Sequence, residues 1–97
     1  MRPVLHGDVS SAARALLRVP EAQRRGLCQR MIKEAETADD HVRRFGKLHP
    51  LFGNGSLMSA ARKRLLAAEP GFDDLAYCAC FELVLRCLIA RGSGETA

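Results

Sequence analysis

The chain has 97 residues, 47% hydrophobic and 27% charged, and its fifteen Lys and Arg against eleven Asp and Glu give a net charge of +4. That length suits one domain burying a little over ~60% of its unfolded surface, and the composition excludes a disordered chain. The basic excess is modest and only mildly favours an anionic partner such as nucleic acid, a membrane surface or an acidic protein.

The opening MRPVLHGDVSS carries no continuous apolar run of the kind a secretory signal needs, which makes the cytoplasm the expected location. Asp8 is placed to cap a first helix, predicted over residues 9–18 from the helical spacing of Val9, Ala12, Ala13, Leu16 and Leu17. Alone such a short helix is marginal, so it needs the core. Pro20 ends it and opens a second helix, predicted over 20–45, along which Leu27, Met31, Ala35, Ala38, Val42 and Phe45 form an apolar seam widened by Cys28 and Ile32. Gly26 costs about 1 kcal/mol relative to Ala in a helix interior and allows a kink or a late start there. Gly46 suits a left-handed C-cap.

Residues 47–55, KLHPLFGNG, form the one substantial loop. Leu48, Leu51 and Phe52 are expected to tuck over one end of the bundle; the alternative is an exposed patch for a partner. Ser56 caps a third helix predicted over 56–68, with Leu57, Ala61, Leu65 and Ala68 inward and Arg62, Lys63 and Arg64 mostly outward. After Pro70-Gly71, Asp73 is the expected N-cap of a fourth helix over 73–91, with Phe72 and Tyr77 spaced as a hydrophobic staple. Gly92 is expected to end it, leaving 93–97 as a disordered tail behind a single domain over 1–92.

Between Leu75 and Ala90 only Glu82 and Arg86 are strongly polar, which predicts a C-terminal helix nearly fully buried by its neighbours. Leu75, Ala79, Glu82 and Arg86 share one narrow strip, the side left to water or to a docked molecule. A membrane span is not expected, since about 16 apolar residues interrupted by two charges fall short of the ~20 a bilayer needs. The fold class is therefore all-α, a four-helix domain.

Cys28, Cys78, Cys80 and Cys87 have no Cys-x-x-Cys spacing, and within the last helix Cys78 and Cys80 point about 160° apart while Cys80 and Cys87 lie roughly 10 Å apart along the axis. Neither pair can share a zinc ion, and the cysteines are expected to be small core hydrophobes. His6, His41 and His49 are scattered with no accompanying catalytic pattern. Gly53-Asn54-Gly55-Ser56 before the third helix can present backbone N–H groups to a phosphate, although the spacing and lysine of a P-loop are missing. Arg43, Arg44 and Lys47 can merge with Arg62, Lys63 and Arg64 into one basic, nucleic-acid-binding surface, but the loop between those helices is too long for a helix-turn-helix.

The segments Met1-Arg2-Pro3-Val4-Leu5-His6-Gly7-Asp8, Leu48-His49-Pro50 through Gly55-Ser56-Leu57-Met58, and Tyr77-Cys78-Ala79-Cys80 resemble a family of small, functionally uncharacterised bacterial proteins. The resemblance implies a bacterial cytoplasmic context and no activity. The expected function is a small non-enzymatic interaction or adaptor protein without a cofactor, binding a protein partner or itself through His49, Leu51, Phe52, Glu82 and Arg86. The alternative is a nucleic-acid-binding regulator.

Overall fold

The computed structural model describes residues 1–94; residues 95–97, the end of the expected tail, lie outside the described residues. Its four helices are α1 (His6–Leu16), α2 (Glu21–Phe45), α3 (Leu57–Ala61) and α4 (Leu75–Gly92). Among the described residues there is no strand, only a bridge between His49 and Gly53, so the all-α, four-helix expectation holds.

The helix expected to be the shortest is the centre of the molecule. Eight of the eleven residues of α1 are buried, and the helix packs against each of the other three. Its sequence explains why: Ser10, Ser11, Ala12, Ala13 and Ala15 have side chains small enough to let other helices approach on several sides, while Val9 and Leu16 fill the core. α1 begins three residues earlier than the spacing predicts. Asp8 is its third helical residue and reaches back, Oδ2 accepting from the Leu5 N–H at 2.9 Å, so it caps from inside the first turn.

α2 runs unbroken through Gly26. Leu27, Cys28, Met31, Ile32, Ala35 and Ala38 are buried, but the seam then leaves the core: Val42 is half-buried and Phe45 is 63% exposed. Gly46 closes the helix at φ 66°, donating to the Val42 carbonyl.

α3 is five residues long and not the thirteen expected. Ser56 caps it as predicted, its Oγ accepting from the Ser59 N–H, but after Ala61 the chain turns and straightens along α1. Two bonds explain the early stop. Ala67 N–H donates to the Arg14 carbonyl, one of the carbonyls left over at the end of α1, and Arg14 Nε donates back to the Ala67 carbonyl. Ser10 Oγ, bonded to Glu69 and 3.0 Å from the Tyr77 hydroxyl, pins the strap further along. Leu65, expected inward, is consequently 74% exposed.

Asp74, one residue later than expected, caps α4 by accepting from the Tyr77 N–H; Phe72 stacks on Tyr77 at 5.3 Å as expected, although the shifted cap takes the pair off the staple positions. Gly92 remains helical; the positive φ falls at Gly94. Near-complete burial of α4 does not occur. Tyr77, Cys80, Val84, Cys87 and Ala90 are buried, while Leu75, Leu85 and Ile89 are exposed, because of the other helices only α1 and α2 pack against α4, and they cover one side of the cylinder. Among the described residues no helix is long and apolar enough to cross a membrane.

Candidate partner-docking surfaces

The loop after α2 is held from within. His49 Nδ1 accepts from the N–H groups of both Leu51 and Phe52 at 3.0 Å, and His49 and Gly53 exchange both backbone bonds, which closes a tight turn with Gly53 at φ 85°. The His49 ring stacks on Phe52 at 4.7 Å and meets His41 edge-on at 5.0 Å; His41 in turn contacts Phe45 at 4.8 Å. Lys63 Nζ lies 4.3 Å from the centre of the Phe52 ring. Two histidines that look scattered in sequence thus join the loop to the end of α2.

Tucking is confined to Phe52, which is half-buried. Leu48 and Leu51 are 67% and 65% exposed, so this end of the molecule presents Phe45, Leu48 and Leu51 to solvent on a braced turn. The expectation that Leu48 and Leu51 fold over the bundle is corrected: the loop is tied down at its far end, where Gly55 packs onto the backbone of Asp39 and its carbonyl accepts from the Arg2 N–H, and this leaves Leu48 and Leu51 outside.

The phosphate reading of residues 53–56 is also corrected. The Met58 N–H donates to Asp8 Oδ1 and the Ser59 N–H to Ser56, so the protein's own carboxylate occupies the start of α3.

Three of the six basic residues proposed for nucleic acid are engaged in ion pairs. Arg43 bonds Asp39 at 2.7 Å, Arg44 lies 3.1 Å from Asp40, and Arg64 donates through both terminal nitrogens to Glu34. Among the described residues Lys47 and Arg62 make no ion pair, and Lys63 is committed to Phe52. A solvated, internally neutralised face results, weaker than the charge count suggests.

On α4, Glu82 and Arg86 pair loosely at 3.5 Å on the exposed side, as the i, i+4 spacing predicts. The sequence pattern did not separate Leu85 and Ile89 from the core, since apolarity alone does not say which apolar face a neighbour covers.

Cys28, Cys80 and Cys87 are buried and Cys78 is half-buried, its thiol donating to the Phe72 carbonyl at 2.9 Å. Tertiary packing creates one pairing that spacing along the last helix does not show: the Cys28 thiol on α2 contacts that of Cys87 on α4. Burial first, then Cys87 itself, pushes the Cys28 thiol well above the usual range; burial pushes Cys80 up as well. Among the described residues no group of three or more His, Cys, Asp or Glu converges on a point as a metal site would.

A family described as a domain of unknown function, DUF7742, matches residues 2–88. The chain belongs to that family. The match spans α1, α2, α3 and most of α4, so the loop end and Glu82, Leu85 and Arg86 lie within the matched residues, with Ile89 just beyond them. No curated protein and no solved structure matches the chain.

Proposed function

We propose that this DUF7742 protein is a small non-enzymatic interaction protein of the bacterial cytoplasm that docks a partner protein through the loop end. The observation that carries this reading is the exposure of Phe45 at the end of α2 together with Leu48 and Leu51 at the turn braced by His49. Large apolar side chains held out on an ordered turn lose little conformational freedom when a partner covers them, which is the preorganisation that favours binding. Exposed Lys47 and Arg62, at or near this end and without an ion pair among the described residues, favour a partner surface carrying acidic residues. Binding to nucleic acid through the six-residue basic surface of α2 and the α3 region is the weaker reading, because three of its members, Arg43, Arg44 and Arg64, already hold carboxylates.

Affinity capture with the wild-type chain and with Leu48→Asp/Leu51→Asp, checked for unchanged helicity, tests the proposal. A protein retained by the first and lost by the second supports it, and an identical set of captured proteins overturns it. A mobility shift on nucleic acid that weakens as salt rises would favour the other reading.

A further inference from the structure

The exposed side of α4 has a pattern of its own. Leu75, Ala79, Glu82, Arg86, Ile89 and Ser93 follow one another by four, three, four, three and four residues, which is the spacing of a coiled-coil seam. All of them face solvent; Leu75 is 83% and Ile89 70% exposed, and Leu85 flanks the stripe. The stripe runs the full length of an 18-residue helix, about 27 Å at 1.5 Å per residue. Its two charges sit in the middle, their side chains 66% and 64% exposed, with uncharged residues on either side.

We propose that this face closes on the same face of a second copy of the chain, α4 antiparallel to α4. A two-fold axis between Glu82 and Arg86 sets Glu82 of each copy opposite Arg86 of its partner, forming two identical ion pairs across the axis. The same register sets small Ala79 against large Ile89 and Leu75 against Ser93, and brings Leu85 close to its own counterpart. A foreign apolar helix would desolvate Glu82 and Arg86 without supplying their partners, which is costly, whereas a copy of this chain supplies both by symmetry. The intrachain pair at 3.5 Å is too loose and too exposed to compete strongly. One helix face is a small interface, so the dimer belongs to the weak, rapidly exchanging class. This inference stands apart from the docking assigned to the loop end, which uses none of these residues.

Sedimentation or light scattering across a concentration series tests it. The wild-type chain is expected to approach twice its monomer mass. E82R sets like charges opposite each other, as does R86E, and each alone is expected to weaken the dimer at least ~10-fold with helicity unchanged; an equimolar mixture of the two restores both ion pairs and recovers the wild-type mass. Ile89→Asp, at an exposed position, should abolish association and serves if a charge variant folds poorly. A wild-type chain that stays monomeric up to about 1 mM overturns the proposal. So does a dimer indifferent to E82R, or a mixture no better associated than its components.

Discussion

Asp8 and Met58 stand fifty positions apart in sequence and are joined by a 2.9 Å hydrogen bond, the Met58 N–H donating to Asp8 Oδ1 while Asp8 Oδ2 accepts from Leu5. One buried carboxylate therefore caps two helices, compensating free N–H groups at the start of both α1 and α3.

Asp8→Ala is expected to lower unfolding free energy by about 2–3 kcal/mol, the sum of two charge-assisted cap bonds reduced by relaxation. Urea denaturation measures it; a loss below ~1 kcal/mol would mean that water replaces the carboxylate at both ends. Asp8→Asn, which keeps one acceptor oxygen, should fall between the two.

Gly55 and Gly26 predict changes of opposite sign. A Cβ on Gly55 would lie 2.6 Å from the Asp39 Cα at φ 93°, so Gly55→Ala forces the loop off α2 and should cost about 2–4 kcal/mol. Gly26 lies in the helix interior with open space where a Cβ would go, and Gly26→Ala should stabilise by about 0.5–1 kcal/mol. Thermal midpoints moving down for the first and up for the second are the expected result.

Glu34 and Arg64 tie α2 to the turn after α3. The Arg64 guanidinium, donating to both Glu34 oxygens, holds that carboxyl below the usual carboxylate range, against burial, which acts the other way. Because the folded value is depressed, this stability is present above the unfolded value near ~4.3 and is lost as pH falls through the folded one. Glu34→Gln should thus cost about 1 kcal/mol at pH 7, and its difference from wild type should shrink below about pH 4. Urea midpoints at pH 7, 5 and 3 check this, and a gap of the same size at pH 3 and pH 7 would exclude an ionic contribution.

The four thiols should differ in reactivity. Only the thiolate is alkylated, and burial suppresses both access and ionisation at Cys28 and Cys80, while Cys87 is shut in against Cys28. Mass spectrometry after brief iodoacetamide treatment is expected to find one adduct, at Cys78, on the native chain and four after denaturation.

Much of α2 and α4 was legible in the sequence. Twenty-five residues with a periodic seam, Pro20 before and Gly46 after, leave little freedom in placing α2. The Ser56 cap, the Phe72–Tyr77 ring contact and the Glu82–Arg86 pair are local arrangements, each set by spacing over a few residues. α3 was misjudged because Leu65 and Ala68 continue a helical period, while the bonds that straighten the chain come from Arg14 and Ser10, some fifty residues away.

By itself, then, the sequence determined the helical class, the two long helices, the Gly46 C-cap of α2, the Ser56 cap of α3 and the buried character of Cys28, Cys80 and Cys87, because propensity, periodicity and capping act within one or two turns. Tertiary structure decided what those signals do not contain. It made α1 the central element, since small Ala and Ser side chains matter only when other helices close on them. It turned Asp8 from the cap of one helix into the cap of two, set Cys28 against Cys87, and left Phe45, Leu48 and Leu51 outside. It also chose which side of α4 would be covered. An apolar side chain is driven out of water by any neighbour that reaches it, and which neighbours reach it is a property of the whole packed chain.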